Sequence, residues 1–255
     1  MRALVDAVDW QRPWLAPYRE IAQRLRAVAP SSASVAQLLN AALAEQPAIS
    51  LAAGALCFVP QHMLGGTEPY EAFIARTAMV PTRDKLHDLL NGLVWLRFPQ
   101  IKRRLNELQA EQIANTGVQP TRGAVRDALT LFDENAALWQ APAVLVDALR
   151  RRDWHTLFVT DRAAWGQAQP VLFGHALMEK LIEPRKPMTA HVWVLPERAE
   201  VEAGALALLT PELLATRQHL PLPLLGVPGW WPANELAAFY DDRGVFRPTS
   251  SVEQR

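Results

Sequence analysis

The segment from residue 84 to residue 106, DKLHDLLNGLVWLRFPQIKRRLN, constrains the fold of this chain more than any other stretch. On a helix that turns about 100° per residue, five leucines share one arc: Leu86, Leu89, Leu90, Leu93 and Leu96. The opposite arc holds Asp84, His87, Asp88, Asn91 and Trp95. Because a solvated helix face usually carries Lys, Glu and Arg, these short, metal-competent side chains indicate a polar site.

Charge and composition limit the kinds of partner. The 26 Lys and Arg residues equal the 26 Asp and Glu residues, so no overall field attracts nucleic acid or an anionic membrane. Nucleic-acid binding would need the basic runs at 102–104 and 150–152 on one face, without acidic residues between them. We therefore expect neither a nucleic-acid partner nor a membrane partner.

The cysteine content and the apolar runs bear on location. Cys57 is the one cysteine, which excludes an intramolecular disulfide and a zinc site built on several cysteines. The apolar run at 51–59 is too short to span a bilayer. The N-terminal sequence MRALVDAVDWQRPW lacks the uninterrupted apolar core of a secretory signal. These features predict a cytoplasmic protein.

Helical spacing of apolar residues dominates the chain, and strand signals are few and short. Half of the 255 residues are hydrophobic, which is typical of a chain with a substantial core. We predict a mainly α protein, α+β with a few short strands, in a single helix-rich globular domain. Its parts are N-terminal helices at 1–50, a main region at 55–248 and a frayed tail at 249–255. Within a Pro-, Gly- and Trp-rich segment at 221–234, residues 225–234 are predicted to wrap over the helices and close the rim of the polar pocket.

Breakers and caps predict where the elements begin and end. The central helix should begin near Thr82 and be interrupted at Pro99, with a second helical run to about residue 115. Residues 121–135 and 173–184 favour two further helices. Strands are predicted at 190–196 and around TLFV at 156–159, and segment 49–60 fits either a buried strand or a short core helix.

Three helical stretches each place a polar stripe opposite an apolar face. The first supplies His87, Asp88 and Asn91, the second Arg122, Arg126, Asp133 and Glu134, and the third His175 and Glu179. Two histidines and several carboxylates from different helices match the needs of a divalent metal, here Zn²⁺, Mn²⁺ or Mg²⁺. The arginine pair fits a phosphate or carboxylate, so an anionic small molecule is the expected ligand.

Two hypotheses from different classes follow. In the first, the protein is a divalent-metal-dependent hydrolase, with His87, His175 and Asp88 or Glu179 as metal ligands and Asp133 or Glu134 as the general base. In the second, the same residues form a structural hydrogen-bond network in a non-catalytic ligand-binding or protein-interaction module. Separation of His87 and His175 by more than about 8 Å would exclude a shared metal, because zinc–ligand bonds are about 2 Å long.

The other four histidines and the remaining motifs add little. His62, His155, His191 and His219 have no comparable neighbours and are predicted to be structural or solvated. The order His62, His87-Asp88, then Asp127 or Asp133, is similar to that of HD-type metal phosphohydrolases, but the following LLNGL does not fit that family.

An ordered set of motifs resembles one family. The motifs are FVPQ at 58–61, PYEAFI at 69–74, residues 82–106, RGAVRDALTLFDEN at 122–135, FGHALMEKL at 173–181, LPLPLLGVPGW at 220–230 and FYDDRGVFRP at 239–248. Together they resemble the proteobacterial family called domain of unknown function 3025, from about residue 55 to residue 248. The family has no assigned activity, so the resemblance implies positions and no chemistry.

The resemblance implies a set of recurring polar positions. They correspond to His87, Asp88, Asn91, Lys102, Arg122, Arg126, Asp127, Asp133, Glu134, His175 and Glu179. On this basis Asn91 and Lys102 join the two arginines as predicted substrate-binding residues. The family pattern has a glycine shortly after the Asp-Glu pair, but here Asn135 is followed by two alanines, so no tight turn is expected.

Overall fold

The computed structural model describes residues 2–28, 32–116, 123–216 and 218–248. Arg122 and the predicted tail at 249–255 therefore lie outside the described residues. The helices are α1 Arg2–Asp6, α2 Arg19–Val28, α3 Val35–Leu43, α4 Tyr70–Thr77, α5 Leu86–Arg97, α6 Pro99–Thr116, α7 Ala124–Asn135, α8 Ala143–Arg151, α9 His175–Lys180, α10 Val201–Leu208 and α11 Pro211–Ala215. The strands are β1 Ser50–Leu51, β2 Gly54–Ala55, β3 Cys57–Pro60, β4 Met79–Thr82, β5 Ala136–Trp139, β6 Val171–Leu172, β7 Thr189–Val194 and β8 Leu220–Pro223.

The strands form small sheets. β1 and β2 make an antiparallel pair and β3 and β4 a parallel pair. The third sheet has the order β6-β5-β7-β8, with β5 and β7 parallel and both outer strands antiparallel. Pro221 and Pro223 lie in the outer strand β8, where a missing N–H costs no ladder bond. The prediction of a mainly α chain with a few short strands is confirmed.

The central helix α5 is buried on both faces. Every residue from Asp88 to Leu96 is buried, the polar ones included. One connected hydrophobic core runs from Val5 to Phe246, so the helices and sheets share a single globular domain. The predicted polar arc of α5 therefore faces other helices, and His87 at its start is partly exposed.

The break at Pro99 is confirmed, whereas the predicted start near Thr82 is wrong. Thr82 ends strand β4, and the helix begins at Leu86, because the Asp88 carboxylate accepts the backbone N–H of Arg83 at 2.6 Å and holds the intervening turn. Pro99 has no N–H to continue the helix, so it opens α6 instead. The first N–H groups of α6, at Gln100 and Ile101, donate to the Glu202 carboxylate.

One further prediction, the strand at 156–159, needs correction. TLFV at 156–159 is helical, in a π-type turn at Thr156–Thr160, because Asp153 accepts the N–H and hydroxyl of Thr156 and starts a helical turn there. Segment 49–60, which fitted strand or helix, contains strands β1, β2 and β3. The alanines after Asn135 continue directly into strand β5, with no tight turn between.

Residues 228–230 of the C-terminal segment lie beside residues 13–17 near the N-terminus. The ring of Trp230 packs at a tilt of 50° against Trp14, with centroids 5.9 Å apart, and its indole N–H donates to Gln169 at 2.7 Å. Asn234 is fully buried and donates to two backbone carbonyls of the same segment. Trp230 lines a cleft beside residues 13–17. Among the described residues that line the polar cavity, none comes from this segment, so the prediction that it closes the pocket's rim is wrong.

Candidate functional site

Polar side chains from several elements converge on one cavity of about 310 Å³. Helices α4, α5, α7 and α9 contribute, together with the segments that follow β3 and β4. The lining residues are Gln61, Leu64, Tyr70, Glu71, Arg83, His87, Asp88, Asn91, Asp133, Glu134 and His175. The three stripes read from the sequence thus meet at one place.

Two histidines form the centre of this site. The Nε2 atoms of His87 and His175 lie 3.1 Å apart, and the rings meet edge to face with centroids 4.6 Å apart. The Nδ1 of His175 lies 2.8 Å from the backbone carbonyl of Asp133, and the Nδ1 of His87 lies 2.8 Å from the Glu179 carboxylate. Carbonyl and carboxylate oxygens accept, so each Nδ1 carries the proton and donates it. In the neutral rings both Nε2 lone pairs then face each other, which is unfavourable unless a cation lies between them.

A carboxylate completes the group. Glu134 Oε2 lies 3.6 Å from His175 Nε2, and ligand atoms of His87, Glu134 and His175 all lie within 4.8 Å of one another. Two nitrogens bound to one tetrahedral zinc ion at about 2.0–2.1 Å would be about 3.3–3.4 Å apart. The observed separation of 3.1 Å is close to that value. In the described part of the chain, this trio is the one such group.

Gly174 fixes the approach of α9 to α7. A Cβ at this position would lie 2.5 Å from the backbone of Asn135 and 2.6 Å from that of Glu134. The N–H of Gly174 donates to Ala136 at 2.9 Å, which ties the start of α9 to the end of α7. This close contact brings the ring of His175, the next residue, against the carbonyl of Asp133.

A buried hydrogen-bond network forms the floor of the site. Lys102 is 5 % exposed, and its ammonium donates to Asp133 at 2.6 Å and to Asn91 at 2.8 Å. The Asn91 amide in turn donates to the hydroxyl of Tyr70 at 3.3 Å. Burial, aided by the nearby Asp133 carboxylate, raises the pKa of Tyr70 well above its ordinary value, so this phenol stays protonated. The network fixes both Asp133 and Asn91.

Burial and charge shift the titration of the central residues. Burial lowers the pKa of His175 to about 4, so the ring is neutral at pH 7 and able to bind a metal. Burial also raises the pKa of the Glu134 carboxyl, and the neighbouring Asp133 charge adds to this effect. For Asp133, burial would raise the pKa, but Lys102 and His175 outweigh it, so the pKa falls below its usual value.

Arg83 and Asp88 form an ion pair at the rim. The guanidinium donates to the carboxylate through Nε at 3.1 Å and Nη2 at 2.8 Å. The Asp88 side chain is 8 % exposed, whereas that of Arg83 is 50 % exposed. Asp88 is therefore held by an arginine and does not belong to the histidine group.

The other predicted residues have varied positions. Glu179 contacts the outer nitrogen of His87 and is not one of the three converging groups. Arg126 does not line the cavity, and it lies seven residues before Asp133 on α7, about 10 Å along the helix axis. Arg122 lies outside the described residues. Lys102 reaches the site only through Asp133 and Asn91.

Sequence reasoning did not assign Gln61, Tyr70, Glu71 or Arg83, which all line the cavity. All four lie inside motifs quoted for the family resemblance: Gln61 in FVPQ, Tyr70 and Glu71 in PYEAFI, and Arg83 in the segment 82–106, three residues before the central helix begins. The spacing of Arg83 and Asp88, five residues apart across a helix start, was the available signal. It is weak, because the two side chains pair only after the turn at 83–85 has formed.

The basic run at 102–104 is not a free cationic surface. Lys102 is buried, and Arg103 and Arg104 lie 3.6 and 3.7 Å from the Glu107 carboxylate. Across the described ranges, no helix has both the length and the apolar character needed to cross a membrane.

Comparison with known proteins places the chain in a family. A family model described as a protein of unknown function, DUF3025, matches residues 56–250. Searches of curated proteins and of solved structures each found no match. The match covers well over half of the chain, so the protein belongs to the DUF3025 family.

Proposed function

We propose that this member of the DUF3025 family is a divalent-metal-dependent hydrolase whose metal ligands are His87, His175 and Glu134. One observation carries the proposal: the two Nε2 atoms face each other at 3.1 Å while both Nδ1 atoms donate to fixed acceptors. Two imidazole ligands favour Zn²⁺ or Mn²⁺ over Mg²⁺, which prefers oxygen. Three protein ligands beside a cavity are typical of a catalytic site rather than a structural one.

The surrounding residues orient the ligands. A divalent ion, when bound, lowers the pKa of a coordinated water and polarises the bond to be cleaved. The Glu179 carboxylate and the Asp133 carbonyl hold the two imidazoles with Nδ1 protonated, the arrangement common around metal-bound histidines. Because Glu134 would be occupied as a ligand, Asp133 is the remaining predicted carboxylate that could accept the proton of the attacking water, and the Lys102 ammonium holds it in place at 2.6 Å. Tyr70, kept protonated, can donate a hydrogen bond to the substrate.

A second candidate function is a non-catalytic binding or interaction module. A proton shared between His87 and His175 would relieve the facing lone pairs as a metal would. The pairs Lys102–Asp133 and Arg83–Asp88 already satisfy each other, as a purely structural network requires. The two functions differ in whether a metal binds.

Metal content tests the proposal. The purified protein is incubated with Zn²⁺ or Mn²⁺ and desalted, and its bound metal is measured by elemental analysis. The double variant His87→Ala, His175→Ala is compared with the control His191→Ala, His219→Ala, which removes a second pair of packed histidines. We expect about one metal per chain in the wild type and the control, and none in the first variant.

Activity is then measured with chromogenic phosphate monoesters, phosphate diesters and carboxylic esters. Turnover should require the metal and be lost on chelation and in the His87, His175 variant. No bound metal in the wild type would overturn the hydrolase and leave the binding module. Bound iron with no hydrolysis would also overturn it, because two histidines and one carboxylate are the ligands of non-haem iron oxygenases.

A further inference from the structure

Arg83 is a half-exposed cation at the edge of the cavity, and its orientation is fixed. Its backbone N–H and its side-chain Nε and Nη2 all donate to Asp88, whose carboxylate is buried. Four of the five N–H groups of a planar guanidinium form two parallel pairs, one on the edge made by Nε and Nη2 and the other on the edge made by Nη1 and Nη2. Asp88 occupies the first edge.

The second edge remains available for a ligand. Nη1 of Arg83 has no hydrogen-bond partner among residues 2–28, 32–116, 123–216 and 218–248. An arginine edge with two parallel N–H groups matches the spacing of two oxygens of a phosphate or carboxylate. Because Asp88 already holds the guanidinium in place, little side-chain entropy would be lost when such a group binds.

Charges around the cavity are compatible with an oxyanion. Asp88 is neutralised by Arg83 and Asp133 by Lys102, Glu134 is committed to the proposed metal, and Glu71 is the remaining carboxylate of the lining. A divalent ion at the histidines would add two positive charges beside Arg83. A substrate oxyanion would then meet a metal on one side and the arginine edge on another.

We propose that the substrate carries an oxyanion, a phosphate or a carboxylate, and that the Nη1/Nη2 edge of Arg83 binds it in bidentate fashion. That the anion is a substrate rests on the proposed hydrolase, whereas the free edge of Arg83 does not depend on a bound metal. The inference assigns anion binding to Arg83, on the segment after β4, and not to Arg122 and Arg126, for which the sequence predicts this role.

The test is a titration with inorganic phosphate and, separately, with acetate. Binding is monitored by NMR from the shifts of the side-chain Nε–H signals of arginine. It uses the zinc-loaded full chain and the metal-free full chain. Arg83→Lys keeps a cation for Asp88 but removes the second edge. Arg76→Lys is the matched control, because Arg76 makes the same Nε and Nη2 pair with Glu68 outside this cavity.

We expect Arg83→Lys to weaken the binding of the preferred anion about 10- to 100-fold, and Arg76→Lys to leave it within about twofold. Tighter binding of phosphate than of acetate would assign a phosphorylated substrate, and the reverse a carboxylated one. Equal binding by wild type and Arg83→Lys, or no binding of either anion by wild type, would overturn the inference.

A second variant guards against misfolding. Arg83→Gln combined with Asp88→Asn replaces the ion pair with two neutral amides and leaves no buried charge unpaired. It should lose anion binding to the same extent as Arg83→Lys. If no metal binds but the metal-free protein still binds phosphate through Arg83, the hydrolase fails and the anion site stands.

Discussion

Two pairs of histidines pack ring to ring in this protein, and their difference explains what makes one of them a candidate metal site. The centroids are 4.6 Å apart in the pair His87–His175 and 4.4 Å apart in the pair His191–His219. Ring distance therefore does not separate them. The two pairs differ in the hydrogen bond that the Nδ1 atom of each ring makes.

In the first pair an acceptor holds each Nδ1, so both Nε2 atoms are free to bind a metal. In the second pair the amide nitrogen of Asn135 lies 3.2 Å from Nδ1 of His191. Because an amide nitrogen only donates, Nδ1 of His191 is the acceptor. No carboxylate joins the second pair to make a group of three within the described residues. The neighbours of the imidazoles, more than their proximity, decide which pair is a ligand set.

The largest expected effect comes from moving the first pair apart. Gly174→Ala would place a methyl group 2.5 Å from the backbone of Asn135 and push α9 away from α7. We expect a loss of about 3 kcal/mol in the free energy of unfolding, measured by urea denaturation, together with loss of zinc binding.

Gly123→Ala is the matched control for that change. Gly123 is the N-cap of α7, and a Cβ there would meet nothing within 4 Å, so only the preference for Gly over Ala at an N-cap, about 0.5–1 kcal/mol, should be lost. Equal effects of the two substitutions would contradict the role of Gly174 as the contact that positions His175.

The next effect comes from removing an acceptor from the first pair. Glu179→Gln lets an amide replace the carboxylate at Nδ1 of His87, so the imidazole is less firmly oriented and less basic. Zinc affinity, measured by competition with a chelator, should fall about 10- to 100-fold. The side chain of Glu183, four residues after Glu179 and beyond the end of α9, is 85 % exposed, so Glu183→Gln should leave the zinc affinity unchanged. A wild-type affinity in Glu179→Gln would show that this carboxylate does not orient the ligand.

A smaller effect comes from giving the second pair an acceptor. Asn135→Asp puts a carboxylate where an amide donates to His191. Burial now lowers the pKa of His191 to about 4, and the new charge should raise it by about one unit or more. NMR titration of the imidazole signals measures the shift, with exposed His155 as an internal control. An unchanged pKa of His191 would mean that Asn135 does not point at this ring.

The smallest effect concerns acid stability. Because the pKa of His191 is lower in the folded protein than in the unfolded chain, the unfolded chain binds more protons between about pH 6.5 and pH 4. The stability that the neutral ring contributes is present above that window and is lost as the pH falls through it. His191→Gln should therefore show a shallower fall in the free energy of unfolding than wild type, while His155→Gln should match wild type. Parallel pH profiles for wild type and His191→Gln would contradict this.

Much of the fold was readable from local chemistry. Ser34 makes a capping box with Gln37 at the start of α3, Pro99 separates α5 from α6, and the strand predicted at 190–196 overlaps strand β7, Thr189–Val194. These features depend on residues a few positions apart, so the sequence states them directly. The false strand at TLFV had the β-branched pattern of a strand, but Asp153, three residues earlier, starts a helical turn.

The sequence also determined which side chains would be polar on buried helix faces, since 3.6-residue periodicity places His87 and Asn91 opposite the leucines of α5. It did not determine their partners. Glu134 and Glu179 were both candidates, and only the packing of α5, α7 and α9 put the first beside the metal-binding nitrogens and the second behind His87. Arg83 belongs with Asp88 because β4 ends where α5 begins, and His191 meets His219 because β7 pairs with β8. Periodicity fixes the direction in which a side chain leaves its own helix, whereas the atoms it meets belong to segments up to 92 residues away and are set by the tertiary fold.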